Sequence, residues 1–341
     1  MFCREKKGGR RLKASVIVPA FNAEKTIGQC LESLLQQSFG RKEFEVLVVD
    51  DGSTDGTAEK VKKFGKEVKL IAQENRGPAA ARNNGARNAK GEVLVFIDSD
   101  CVAEKNWLQE MVAPIDEAEK IVGVQGTYRT RQNEWVARFA QLEIGQRHEK
   151  MAEEKEIDFM GSYSAAFLKK VFLAVNGFDE TFPIASGEDT DLSFRISSRG
   201  YRFYFNKNAV VWHLHPSSLL KFLRIKFFRG YWRVWVYGKN RGKILHDSYS
   251  SRALKLQMAL VPLVALSAVF APFSGAEVAL AGVALSAVLA VSIIPLTFFM
   301  LSRDFFVGIA SPIVILMRAA VIDAGVCYGL VKKLFAGNGG K

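Results

Sequence analysis

The sequence predicts a Rossmann-like α/β domain followed by C-terminal transmembrane helices, on three observations. Short β-branched runs alternate with helical stretches as far as about Phe205. Acid-bearing loops sit at the ends of those runs. After Lys255 the chain turns into long uncharged apolar segments.

Ala14–Pro19, Phe44–Val49, Val68–Ala72 and Val93–Ile97 read as buried parallel strands, because both faces of each run are apolar. Glu24–Gln37, Gly56–Phe64 and Pro78–Ala89 read as the helices between them. Such βαβ order implies right-handed crossovers and a ligand crevice at the carboxyl ends of the strands. The loops Pro19–Asn22, Asp50–Asp55 and Asp98–Asp100 all fall at those ends.

Residues 256–276 carry no charge, Glu277 interrupts, and residues 278–302 carry none. A span needs about 20 apolar residues, so each run is long enough to cross a bilayer. A turn around Ser274–Ala276 makes them a hairpin, with Pro262 and Pro295 tolerable inside membrane helices. The third run holds Ser311-Pro312 and is broken by Arg318 and Asp323. If it crossed, Lys332 and Lys333 would lie opposite the basic segment that precedes the hairpin, which the positive-inside rule disfavours. Two spans plus an interfacial or re-entrant segment are expected, with three spans as the alternative.

Charge supports this division. Residues 1–205 carry 31 Lys+Arg against 31 Asp+Glu, whereas residues 206–255 carry 11 against Asp247 alone. The net charge of +12 therefore belongs almost wholly to the stretch before the hairpin, where anionic headgroups are its natural partner. There Lys221, Arg224, Lys226, Arg229 and Arg233 interleave with Phe222, Phe227, Phe228, Tyr231, Trp232 and Trp235. Such interleaving also suits single-stranded nucleic acid, but its place beside a hairpin favours the headgroup layer, and no nucleic-acid partner is expected. Cys3, Cys30, Cys101 and Cys327 form no CxxC pair, which suggests a reducing compartment and no zinc site. The basic N-terminus lacks a signal-peptide core, so the α/β part is expected on the cytoplasmic side.

The loops carry specific chemistry. Pro19 ends the first strand ladder, and Asn22 is placed to cap the next helix. A carboxylate in Val48-Val49-Asp50-Asp51-Gly52-Ser53 can accept the imide N–H of uracil or N1–H of guanine; an Asx turn is the equal alternative for Asp50 and Asp51. Arg82, one turn into a small-residue helix, can reach a diphosphate. Asp98-Ser99-Asp100 supplies hard oxygens for Mn²⁺ or Mg²⁺, which neutralises a departing nucleoside diphosphate. In Gly187-Glu188-Asp189-Thr190-Asp191, Asp189 is the candidate base for an acceptor hydroxyl. Asp191 is read as pairing with Arg195 on the following helix; Glu188 stays open between the two roles. Of Trp212-His213-Leu214-His215, either imidazole could complete a metal shell or be structural.

This ordered set, over roughly residues 14–215, resembles the family 2 glycosyltransferases of the GT-A fold. The resemblance implies a metal-assisted, inverting transfer from a nucleotide-sugar. It implies base recognition by Asp51, with Pro19, Ala20, Asn22 and Ser99 around the nucleotide. Arg82 would meet phosphate, Asp100 would be the principal metal ligand beside Asp98, and His213 would be a third ligand in some members. Asp189 would be the base. Gly161–Phe167 and Gly177-Phe178-Asp179-Glu180 match the stretch shaping the sugar and acceptor pocket, which brings in Gly161 and Glu188. No Gln-x-x-Arg-Trp follows the base, so a polymer channel is not expected. The tail implies a lipid-linked or glycan acceptor, with a hydroxyl as nucleophile. Transfer to polyprenyl phosphate is the alternative, and a catalytically silent membrane scaffold is a further one.

The expected organisation is a basic tail (1–13), a GT-A domain (14–215), a basic aromatic juxtamembrane segment (216–255), a transmembrane hairpin (256–302) and a third apolar segment with the tail (303–341). A multi-pass protein of the cell membrane follows, with its catalytic domain cytoplasmic.

Overall fold

A computed structural model describes residues 12–336 except 155, 183, 185, 241 and 243–250. Most of the basic tail and Asp247 lie outside the described residues. The chain divides into two units: Met1–Arg129 with Glu154–His213, and Thr130–Glu153 with Leu214–Lys341.

The first unit is built on one eight-stranded sheet of order β3-β2-β1-β4-β7-β6-β8-β5. Strands β1 (Ala14–Ala20), β2 (Phe44–Asp50), β3 (Val68–Ala72) and β4 (Val93–Ile97) are the four expected from the apolar runs. They pair in parallel, from Ala14↔Phe44 to Ala20↔Asp50 between β1 and β2. The β1–β4 ladder stops at Ile17↔Phe96, two residues before Pro19, whose missing N–H cannot extend it. Helix α1 (Ile27–Leu35) buries Ile27, Cys30, Leu31 and Leu34, the i, i+3, i+4, i+7 stripe of an amphipathic helix. α2 (Thr57–Lys62) buries Thr57 and Val61.

α3 (Pro78–Asn88) turns Ala79, Ala80, Ala81, Gly85 and Ala86 inward. A Cβ on Gly85 would stand 2.4 Å from Ile17 Cγ2, so glycine sets how closely this helix lies on the sheet. Burial of small side chains here positions Arg82.

The rest of the sheet is mostly antiparallel, which alternating apolar runs alone did not reveal. β5 (Val102–Ala103), β6 (Ile121–Arg129), β7 (Ser164–Leu168) and β8 (Arg202–Trp212) complete it. β7 joins β4 and β6 antiparallel, whereas β6 and β8 run parallel with two register shifts. α4 (Trp107–Val112) packs under this half; Trp107 is fully buried and its indole N–H donates to Ser164 Oγ at 2.9 Å. α6 (Lys169–Ala174) and α7 (Glu188–Ser197) close the unit.

The second unit is helical. Its first piece, α5 (Trp135–Glu153), comes from the middle of the sequence. α8 (Leu219–Lys239) carries the basic and aromatic residues of the juxtamembrane segment, with Ser218 Oγ accepting the Lys221 N–H as its cap. α9 (Arg252–Phe270), α10 (Ala276–Leu301) and α11 (Phe305–Ala336) hold the three apolar runs. All three are long and apolar enough to cross a membrane. α11 runs as one continuous 32-residue helix through Arg318 and Asp323. Arg318 is accommodated by partners, donating to Glu143 at 2.6 Å and to Gln257 at 2.9 Å. Lys226, one of the basic residues expected in the headgroup layer, is buried and also meets Glu143 at 2.6 Å.

Candidate active site

Asp51, Arg82, Asp98, Asp100, Gly161, Glu188, Asp189 and His213 all belong to the sheet unit. Most stand at the carboxyl ends of strands or on the turns that follow, where backbone groups leave the ladder and side chains gain room.

The first two strand ends are tied together. Asp51 N–H donates to Ala20 O at 2.8 Å. Asn22 adopts a left-handed φ of 49° and does not cap α1, contrary to expectation. Its backbone N–H donates to Ser53 Oγ at 2.9 Å, and its Oδ1 accepts Thr54 N–H at 2.8 Å. α1 starts four residues beyond an Asx cap's reach, behind Thr26. Asp50 Oδ1 accepts the Ser53 N–H at 3.1 Å, one residue further along than an Asx turn reaches.

Asp51 is almost wholly enclosed and holds a different loop. Oδ1 accepts from Gln73 Nε2 at 2.7 Å and Arg76 N at 2.9 Å; Oδ2 accepts Gly77 N–H at 2.8 Å. Each carboxylate oxygen has two lone pairs, so Oδ1 is filled and Oδ2 keeps one site for a further donor. Gly52 permits this approach, since a Cβ there would lie 2.8 Å from Asn75 N.

Arg82 is 2% exposed and lies between two acids. Nη2 donates to Asp98 Oδ1 at 2.8 Å and Nη1 to Glu188 Oε1 at 3.1 Å. The guanidinium read as a diphosphate ligand is thus a bridge between the loop after β4 and the start of α7. Glu188 Oε2 is buried without a hydrogen-bond partner among the described residues. Burial pushes the Glu188 carboxyl up to about 8, with Asp189 adding and Arg82 opposing. Asp189, half-buried beside it, accepts Thr190 N–H at 2.7 Å. Asp191 pairs with Arg195 at 2.7 Å, the i,i+4 link that the spacing suggests.

Asp100 meets His213, whose Nε2 lies 3.5 Å from Asp100 Oδ2. Asp98-Ser99-Asp100 forms a turn closed by Cys101 N–H on Asp98 O at 3.0 Å. Donor atoms of Asp100, Cys101 and His213 all lie within 4.8 Å of one another. Asp98 was expected beside Asp100 as a ligand; here its Oδ1 is taken by Arg82. Loss of solvent raises the Asp100 carboxyl, His213 opposes, and Asp98 adds to the rise. The His213 backbone N–H donates to Arg129 O at 2.9 Å, and its ring lies against Tyr128 with centroids 4.5 Å apart. His215 takes no part in this cluster, since its Nε2 meets Gln141 Oε1 at 2.9 Å in the helical unit.

Tyr128 in turn stacks on Tyr163 at 3.4 Å. A Cβ on Gly161 would stand 2.5 Å from the Tyr163 ring, so this glycine makes room for the stack. Gly161 N–H donates to Gln125 Oε1. Sequence reasoning missed Gln73, Cys101, Tyr128 and Tyr163. Cys101 carried a signal, adjoining Asp98-Ser99-Asp100; the tyrosines meet only through strand pairing.

Comparison with known proteins agrees with this architecture. The Glycosyl transferase family 2 model matches residues 15–175, which cover β1 to β4 and β7. Glycosyltransferase AglE of Haloferax volcanii is 28% identical over 65% of this chain and 74% of its own length. A Methanococcus voltae protein named dolichyl N-acetyl-alpha-D-glucosaminyl phosphate 3-beta-D-2,3-diacetamido-2,3-dideoxy-beta-D-glucuronosyltransferase is 25% identical over 69% of this chain and 74% of its own. The Staphylococcus aureus poly(ribitol-phosphate) beta-N-acetylglucosaminyltransferase TarS is 41% identical over 34% of this chain, which spans only 22% of that protein. In structure, the mannosyltransferase PcManGT of Pyrobaculum calidifontis, solved in complex with GDP-Man and Mn²⁺, has a TM-score of 0.67 at 22% identity over 95% of this chain and 89% of its own. That likeness gives the fold as GT-A, and the family match gives the assignment of the part that it covers: residues 15–175 carry a glycosyltransferase family 2 domain.

Proposed function

We propose that the chain transfers a sugar, with inversion, from a UDP- or GDP-sugar to a hydroxyl of a lipid-linked acceptor at the cytoplasmic face of the cell membrane. The observation that carries this reading is the Arg82 bridge. One guanidinium reaches both Asp98 and Glu188, so two acidic loops far apart in sequence stand side by side. A donor's leaving group and an acceptor's attacking oxygen need that adjacency.

Asp51 Oδ2 offers its remaining lone pair to the base, with Pro19, Ala20, Asn22 and Ser99 lining the nucleotide side. Asp100 and His213 would hold Mn²⁺ or Mg²⁺, and the mixed oxygen and nitrogen donors favour Mn²⁺. The ion supplies positive charge to the departing diphosphate. Asp98, held by Arg82, stands beside Asp100 in the same turn. Asp189 takes the acceptor proton as the acceptor oxygen bonds to the anomeric carbon and the bond to the diphosphate breaks. Glu188 Oε2 and the Gly161 turn flank the sugar and acceptor. The name of the Methanococcus voltae relative, which describes a dolichyl-linked sugar phosphate, supports a lipid-linked acceptor. So do the three apolar helices, read as the membrane anchor. With the family assigned, the silent-scaffold alternative is set aside.

The test is donor turnover by the detergent-solubilised chain with Mn²⁺, membrane lipids and a panel of UDP- and GDP-sugars. Asp189→Asn should lower turnover by about 10²- to 10⁴-fold, the usual worth of a general base, and Asp100→Ala should abolish it. Full activity of Asp189→Asn with Asp100→Ala inactive would move the acceptor to polyprenyl phosphate, which is already anionic.

A further inference from the structure

We propose that the cation centre carries a thiolate ligand, Cys101, and therefore binds thiophilic divalent ions such as Zn²⁺ and Cd²⁺ through sulfur. The inference rests on the proposed placement of a divalent cation at Asp100 and His213. It adds a donor outside that expected ligand set and changes which ions the centre prefers.

The geometry favours it on distance. Cys101 Sγ lies 3.8 Å from Asp100 Oδ1, and His213 Nε2 lies 3.5 Å from Asp100 Oδ2. Donor atoms of the three residues are within 4.8 Å of one another. In a tetrahedral zinc site, bond lengths of about 2.3 Å to sulfur and about 2.0–2.2 Å to nitrogen and oxygen put the donors about 3.3–3.5 Å apart. Cys101 and His213 approach different oxygens of the same Asp100 carboxylate, so the three donors would close on one ion by a turn of that carboxylate.

The donor chemistry points the same way. A Mg²⁺ centre wants hard oxygens in near-octahedral array. Here the second acid of the loop, Asp98, has Oδ1 engaged by Arg82 at 2.8 Å. What converges is one carboxylate, one imidazole and one thiol, a set that suits zinc-like ions. The cysteines looked unsuited to zinc because they lack CxxC spacing. That argument covers sites built from cysteine pairs and not a mixed Asp-Cys-His set assembled from β4's loop and the end of β8. Cys30 is the neighbouring thiol, but it is committed elsewhere, to Asp98 O at 3.7 Å.

Binding balances as a proton exchange. The Sγ–H bond breaks, the Sγ–metal bond forms, and the proton leaves to solvent; no oxidant or reductant is needed. In the absence of a thiophilic ion, Cys101 acts as a weak donor to Asp100 and Mn²⁺ is held without it.

The probe is cadmium ion alone, added to the full chain in detergent with Cys3→Ser, Cys30→Ser and Cys327→Ser, which leaves Cys101 as the single thiol. One equivalent should produce a thiolate-to-cadmium charge-transfer band in the ultraviolet and release one proton. His213→Ala on this background should weaken cadmium binding by about ten-fold or more. No band at one equivalent overturns the proposal, and an unchanged affinity in His213→Ala does so too, since the thiol would then be binding alone. In the otherwise unmodified chain, Cys101→Ser must remove one equivalent of the band; its retention is equally fatal. Mn²⁺-dependent sugar transfer by the unmodified chain is measured alongside. Transfer without the band leaves the transferase reading standing and removes the thiolate. A band without transfer leaves the thiolate and removes the transferase reading.

Discussion

Arg82 and Glu188, 106 positions apart in sequence, pair at 3.1 Å with side chains only 2% and 1% exposed. A buried guanidinium that also holds Asp98 acts as a strut between the two acidic loops. Removing the guanidinium takes the shared donor from both acids, leaves the Glu188 carboxyl buried without a partner and strips Asp98 of its counter-charge.

Arg82→Ala should therefore destabilise the sheet unit by about 3–5 kcal/mol and abolish turnover. Glu188→Gln should behave differently. The folded chain holds the Glu188 proton up to about 8, whereas an unfolded carboxyl loses it near 4.5. The folded state thus binds more protons across that window, and stability falls as pH rises through it. Thermal unfolding against pH should show a downward slope between those values that Glu188→Gln flattens. An identical slope in the variant would mean the carboxyl is ionised throughout.

Much of this site was legible, for a physical reason that also sets the limit. Val93–Ile97 announces itself as a buried strand because every position is apolar, and a loop must follow it, so Asp98 and Asp100 could be placed without coordinates. The partner of each side chain was not legible. Arg82 finds Asp98 and Glu188 through helix packing set by Gly85, and no local pattern records that. Asn22 looked like a cap because its residue type favours one; the neighbouring Ser53–Thr54 loop won its hydrogen bonds instead. α5 escaped notice because its amphipathic pattern is weak, and its role depends on helices a hundred residues later.

Gly161 offers a test of the aromatic column beside the cation centre. A Cβ at this position would stand 2.5 Å from the Tyr163 ring, so Gly161→Ala must push that ring off Tyr128, which in turn supports His213. We expect Mn²⁺ affinity to fall by about ten-fold, the usual effect of disturbing a residue behind a ligand. Isothermal titration with MnCl₂ in detergent measures it. Unchanged affinity would show that His213 needs no support from the stack.

Glu143 concentrates the charge of the helical unit. It holds Lys226 and Arg318 at 2.6 Å each, Arg318 reaches Gln257 at 2.9 Å, and Gln257 donates to Ser292 O at 3.0 Å. That chain runs through α5, α8, α11, α9 and α10 in turn. Burial alone would raise the Glu143 carboxyl, but the two cations hold it well below the usual range. Stability from this group is therefore complete above the ordinary carboxylate range and is lost progressively as pH falls from that range toward the depressed folded value. Glu143→Ala should cost about 3–5 kcal/mol by stranding two buried cations, and it should remove part of the acid sensitivity. Equal melting of variant and parent at neutral pH would refute the network's importance.

The fit of α8 against α11 makes the sharpest steric prediction. Backbones approach so closely that a Cβ on Gly325 would lie 2.1 Å from Phe227 O, and one on Gly230 would lie 2.2 Å from Ile322 O. The obstacles are carbonyl oxygens of the facing helix, which cannot rotate away. Small residues at such crossings let helix backbones approach closely enough to pack by dispersion. Gly325→Val should thus separate the two helices and lower thermal stability by about 1–3 kcal/mol or more. Gly238→Ala is the matched control: its nearest neighbour is the mobile Lys333 Nζ at 2.2 Å, which can swing aside. Differential scanning fluorimetry of the detergent-solubilised chain should show a clear drop for Gly325→Val and little for Gly238→Ala. Equal behaviour of the two variants would mean that α8 is not held against α11 in this register.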